Sequence, residues 1–180
     1  EEPARAQKTA SMETGAGAQD TKKRIMSRLE LEYLYTEFLK DEGYRPEKEP
    51  NGLIRFKREG RTYFINVSES DKDPQFFRVI LPNIWKIDSE KTRSQVFVAA
   101  DFSNYRSKVC KVFTVKDNVW ACIDLLLSSP EDFNGVFNRA LSALDNGMST
   151  FVRKMRELKS EGEKSSTESG QPPTKMPKES

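Results

Sequence analysis

The chain has 180 residues, enough for one domain with a core of its own and too few to expect two. Its 30 Lys and Arg side chains nearly balance 28 Asp and Glu, for a net charge of +2, and no segment builds the strong positive field that neutralising phosphates requires. Nucleic acid is therefore not expected as a partner, and the absence of histidine removes the commonest general base, the commonest metal ligand and every His-containing triad.

No run approaches the ~20 apolar residues of a membrane span, so a soluble protein is expected. The first residue is Glu1 and not Met. A cleaved export signal or trimming would each explain that, so the expected compartment is the cytoplasm, or the periplasm if such a signal once preceded Glu1.

Residues 1–21, "EEPARAQKTASMETGAGAQDT", and residues 159–180, "KSEGEKSSTESGQPPTKMPKES", are polar and without periodicity. Neither buries enough apolar area to offset its ordering entropy, so both read as disordered tails around a single domain over 22–158. The triplet Lys22-Lys23-Arg24 reads as the solvated start of a helix running to Glu42. In that helix Leu31, Leu34, Tyr35 and Phe38 repeat at i, i+3, i+4, i+7, and Gly43 is the stop signal.

In "NGLIRFKREGRTYFINV" two alternating runs flank Glu59-Gly60, a tight hairpin turn. That turn sets Phe56 opposite Tyr63 and Ile54 opposite Ile65 on an apolar face. The second face pairs Arg55 with Phe64 and Lys57 with Thr62, is expected to be wet, and offers an Arg55–Phe64 cation–π contact. The next loop, "SESDKDP", brings Glu69, Asp71 and Asp73 together. A calcium loop needs a glycine near its sixth position and an acid at its twelfth, so this is read as a solvated turn.

A third strand is expected over Phe76–Leu81, ended by Pro82, which has no amide hydrogen for a ladder. Ile84-Trp85 then falls outside the sheet, and Asp88 or Ser89 caps a second helix with Val96, Ala99, Ala100 and Ser103 on one face. "SKVCKVFTVKDNVWACIDLLL" reads as a second hairpin turning at Asp117-Asn118. A two-residue loop there sets Lys111 opposite Asp124, the one acid within an apolar strand. It puts Cys110, Val112, Ala121, Ile123 and Leu125 on the core face and separates Cys110 from Cys122, whereas a three-residue loop would put the cysteines on one face. With no CxxC spacing, two thiolates make a poor zinc site, so both cysteines read as small buried side chains.

The last helix is capped by Ser129, with Pro130 at its first position and Glu131 and Asp132 favouring the dipole. Its stripe runs from Phe133 through Phe137, Leu141, Leu144, Met148 and Phe151 to Met155. At ~1.5 Å per residue such a helix spans about 40 Å, so it must bend, with Asn146-Gly147 a candidate place, or overhang onto a partner. The order is α-βββ-α-ββ-α, an α+β domain with helices packed against an antiparallel sheet.

That order, with "FLKDEGYRPE", "GLIRFKREGRTYFINV", "PQFFRVILPNIWKID", "VCKVFTVKDNVWACIDLLL" and "PEDFNGVFNRALSALDNGMSTFVRKMRE", resembles the bacterial YbjN family over about Leu31 to Glu157. The family is described as sensory transduction regulators, and the resemblance implies a fold similar to type III secretion chaperones, small proteins that hold effector segments and often dimerise. It brings no catalytic motif and no site residues.

Two functions compete on these readings. The favoured one is a non-catalytic protein-binding module, chaperone-like or regulatory, with Ile84, Trp85, Trp120, Arg55 and Phe64 as candidate protein-contact residues. The alternative is a small-ligand-binding sensory domain, which needs a concave pocket. An enzyme is not expected, since Asp124 is accounted for by Lys111 and "GAGAQD" follows no strand. No cofactor or metal is expected. A homodimer is expected from Val96, Phe97, Ala99, Ala100 and the overhang of the last helix.

Overall fold

The structure, a computed structural model, describes residues 26–67 and 73–168. The expected tail over 1–21, the triplet at 22–24, Glu69 and Asp71 of the acidic loop, and residues 169–180 lie outside the described residues.

Helix α1 spans Arg28–Asp41 and starts at a reciprocal cap. The Ser27 amide donates to the Glu30 carboxylate at 2.8 Å and the Glu30 amide to the Ser27 hydroxyl at 3.4 Å. Its apolar stripe buries Leu31, Tyr35 and Leu39. The ring of Tyr35 meets Phe133 edge-on at 4.5 Å and Phe77 at 5.5 Å, fixing this helix over the sheet.

Six strands form one antiparallel sheet in the order β1-β2-β3-β4-β6-β5. They are β1 (Glu47–Lys48), β2 (Leu53–Arg58), β3 (Arg61–Asn66), β4 (Phe76–Lys86), β5 (Cys110–Val115) and β6 (Asn118–Leu126). The first hairpin turns at Glu59-Gly60, both at positive φ, and pairs Ile54 with Ile65, Arg55 with Phe64, Phe56 with Tyr63 and Lys57 with Thr62, as the alternation requires. Strand β1 is too short to carry a pattern, and no sequence expectation included it.

Two expectations are corrected. Pro82 does not end the third strand. Strand β4 runs on to Lys86 through an irregularity between Leu81 and Trp85, with Asn83 at φ 57°, and then pairs Trp85 with Val119 and Lys86 with Asn118. A proline is tolerated inside a sheet at a bulge, where one amide hydrogen fewer leaves nothing unpaired. The second hairpin turns at Lys116-Asp117, one residue earlier than expected, with Lys116 at φ 54°. The register thereby slips by two, so Lys111 faces Cys122 and Cys110 faces Ile123. A two-residue slip preserves the side-chain faces, which is why the expected core face is correct although the pairs are not.

Helix α2 spans Glu90–Arg106, with Ser89 as its cap accepting from the Thr92 amide at 3.1 Å. After a single 3-10 turn at Pro130–Asp132, helix α3 runs unbroken over Phe133–Glu168, ten residues beyond the expected end at 158. At ~1.5 Å per residue it is about 54 Å long. Helix α2 lies antiparallel along its second half. The Ser103 hydroxyl donates to the Gly147 carbonyl at 2.8 Å, and the Gln95 amide to the Leu158 carbonyl at 3.1 Å. Gly147 serves as a point of close approach, because a Cβ there would lie 2.4 Å from Cys110 Sγ. Val96, Ala99 and Ala100, expected to be surplus, are buried in this packing, and Phe97 beside them stays exposed.

The core holds Ile54 and Phe56 of β2, Tyr63 and Ile65 of β3, Phe77 and Val79 of β4, Val112 of β5 and Ala121 and Ile123 of β6, together with the stripes of all three helices. Side chains alternate along a strand, so the helices cover one face of the sheet. Among the described residues, none covers the other.

Candidate functional site: the open face of the sheet

The uncovered face carries the alternate residues. Phe64 lies opposite Ile80, Ile80 opposite Cys122, Phe76 opposite Leu126 and Phe113 opposite Trp120. Adjacent strands are ~4.8 Å apart, so from β3 to β5 these apolar side chains span about 14 Å. Leu126 is 81% exposed and Phe113 38%, while Phe64, Ile80 and Trp120 are half-buried by their neighbours. One-sided burial with a polar outer face is the usual state of such a sheet, so this apolar band needs a reason.

Three charged groups of this face, Arg78, Lys111 and Asp124, are mutually engaged. Arg78 grips Asp124 through two nitrogens, at 2.6 and 2.8 Å, and Lys111 Nζ reaches the same carboxylate at 2.7 Å, across the diagonal that the register slip creates. Burial alone would raise the Asp124 pKa, but the hydrogen bonds from Arg78 and Lys111 outweigh it and bring it to about 2. The Arg78 guanidinium also stands 5.0 Å over the Phe76 ring. Arg55 sits opposite Phe64, but its guanidinium turns to Glu47 of the unforeseen strand β1 and to Glu49 just after it, in place of the expected stacking on the ring.

A carboxylate held near 2 is a weak proton acceptor at neutral pH. Burial pushes the Cys110 and Cys122 thiols up to about 12, so neither supplies a thiolate. The cysteines face opposite sides of the sheet and are free. Among the described residues no three His, Cys, Asp or Glu side chains gather into a metal site, and no described helix is long and apolar enough to cross a membrane.

Of the five residues singled out from the sequence, Arg55, Phe64 and Trp120 come together on the open face. Ile84 and Trp85 lie on the helix side instead. Trp85 is half-buried against Phe151 of α3, ring centres 6.2 Å apart, with Lys159 Nζ 5.0 Å over its ring. Ile84 packs on the edge of the core and lines a groove of about 670 Å³ between the β4 bulge and α3. Sequence reasoning set Phe113 beside Trp120 on the outward face but did not name it, Ile80 or Leu126 among the contact residues. Each is next along its strand to a residue of the inward face, so alternation turns it outward and the signal was present in the strands.

The described residues form a two-layer α+β arrangement and leave one sheet face open. No family model matches the chain, and neither does any curated protein sequence. Among the solved structures that resemble it weakly are the following two. One is an uncharacterized protein from Methanothermobacter thermautotrophicus, at 11% identity and a TM-score of 0.46, covering 73% of this chain and 98% of that one. The other is YbjN from E. coli, a proposed transcription regulator, at 15% identity and a TM-score of 0.44, covering 66% of this chain and 87% of that one. Neither likeness bears on what the chain binds.

Proposed function

We propose that the chain is a non-catalytic protein-binding module, chaperone-like or regulatory, and that its partner docks on the open face of the sheet. The observation that supports this is the apolar run from Phe64 through Ile80, Cys122 and Trp120 to Phe113, with exposed Leu126 beyond the Arg78–Asp124 pair. Aromatic anchors set among groups already paired with one another suit an amphipathic protein segment: the rings bury on contact, while Arg78, Lys111 and Asp124 keep their partners.

The test uses the full chain and a Phe64→Ser/Trp120→Ser variant in parallel affinity capture from native lysate. A protein recovered by the wild type and lost by the variant, with the melting temperature of the variant within a few degrees, supports the reading. A protein recovered equally by both overturns it. Light scattering on the same pair checks the competing occupant, a second copy of this chain: a wild-type dimer that the variant dissolves assigns the face to self-association.

A further inference from the structure

The groove that Ile84 lines has a backbone origin. Strands β3 and β4 pair at Phe64–Ile80 and Ile65–Val79, and the ladder stops there. Continued in register, Thr62 would meet Pro82 and Arg61 would meet Asn83. Pro82 has no amide hydrogen to give, and Asn83 turns the backbone through φ 57°. The start of β3 and the middle of β4 therefore part, and α3 closes the third side with Met148, Ser149, Val152, Arg153 and Arg156.

The charge of this groove is one-sided. Its lining holds Arg61, Arg153 and Arg156 and no carboxylate. Arg153 and Arg156 are exposed, three residues apart and so neighbours on one face of α3. Among the described side chains no acid pairs with either. The nearest acid to Arg61 is Asp145, 3.9 Å away, and its carboxylate already accepts from Arg58 at 2.5 Å and from the Tyr63 hydroxyl at 2.8 Å. The same lining carries the apolar side chains of Leu81, Ile84 and Val152. The volume of about 670 Å³ falls within the range that holds small molecules.

We propose that this groove binds a small organic anion: Arg61, Arg153 and Arg156 hold its oxyanion head, and Leu81, Ile84 and Val152 take its apolar body. Guanidinium groups present forked donors that match the paired oxygens of a carboxylate or a phosphate monoester, and both carry the chemistry the site recognises. This site is on the helix side of the sheet and does not depend on the open-face reading.

Isothermal titration of the full chain with hexyl phosphate, hexanoate, inorganic phosphate and hexanol tests it. Saturable binding of hexyl phosphate or hexanoate with a Kd below ~1 mM, and none of hexanol, is expected, and the tighter of the two anions identifies the head. Arg153→Gln/Arg156→Gln should weaken that binding about tenfold or more with an unchanged melting temperature, since both side chains are exposed. Binding that survives this double substitution, or the absence of binding by either organic anion, overturns the proposal. Inorganic phosphate binding as tightly as hexyl phosphate overturns the role of the apolar lining.

Discussion

Gly147 and Cys110 approach so closely that a methyl group on the first would stand 2.4 Å from the sulfur of the second and 2.8 Å from its Cβ. Helix α3 is seated on the beginning of β5 by this contact, and the Ser103 hydroxyl of α2 donates to the carbonyl of the same glycine.

Gly147→Ala is therefore expected to destabilise the fold. Alanine gains ~1 kcal/mol of helix propensity over glycine. Overpacking a full core costs roughly 1–3 kcal/mol, and the atoms in the way belong to a short side chain on a strand. Urea unfolding should show a net loss of up to about 2 kcal/mol. The Gly147→Ala/Cys110→Ala double variant should recover part of it, as contact residues couple. A single variant more stable than the wild type would refute the close packing.

Trp85→Ala should lower stability by about 2 kcal/mol, less than a fully buried tryptophan loses, because the ring is only half-buried against Phe151. Partner capture through the open face should be untouched, since Trp85 lies on the opposite side of the sheet. An unchanged urea midpoint would show that the ring is not part of the core.

Asp124 links stability to acid. Its pKa in the folded chain is about 2, against ~3.9 for an unfolded aspartate. The ion pairs with Arg78 and Lys111 therefore contribute fully above pH ~4, and that contribution is lost as pH falls towards 2. Unfolding midpoints between pH 2 and 5 should fall more steeply for the wild type than for Asp124→Asn. Parallel curves for the two would exclude this carboxylate as the source.

Asn104 guards an edge. Its side chain accepts from the Val112 amide at 2.7 Å and donates to the Val112 carbonyl at 3.1 Å, filling two backbone sites on the outermost strand β5. Asn104→Leu should cost about 1–3 kcal/mol by leaving that amide without a partner. Hydrogen exchange at Val112 should quicken in the variant beyond what the lower global stability explains. Equal protection would show that the side chain adds nothing to the edge.

The parts of this fold that sequence discloses are those where local chemistry and long-range packing agree. Glu59-Gly60 dictates its turn, and every pair from Ile54–Ile65 to Lys57–Thr62 follows from it. The second hairpin has no glycine, so nothing local chooses between Lys116-Asp117 and Asp117-Asn118, and the slip keeps the apolar face inward either way. Pro82 misleads because its meaning depends on whether its strand is interrupted by a bulge, which is set by β6 and β3 and not by its neighbours in the chain. The last turns of α3 look like tail by composition, yet the Lys91 ammonium lies 3.2 Å from where a Cβ on Gly162 would be. For the candidate site, Arg55, Phe64 and Trp120 were legible from alternation, whereas the groove joins β3, β4 and α3 and has no signature in any one segment.

The division of labour at Pro82-Asn83 has a consequence for how such a groove could change over evolutionary time. Its outline is drawn by main chain, in a stretch held by β6 on one side and the core beneath. Its attraction for a ligand is drawn by the tips of arginines, two of which, Arg153 and Arg156, project into water from the surface of α3. Exchanging those tips would alter which molecules are admitted while leaving the opening, the sheet and the packing of α3 as they are. Preference is thus free to drift on a frame that does not.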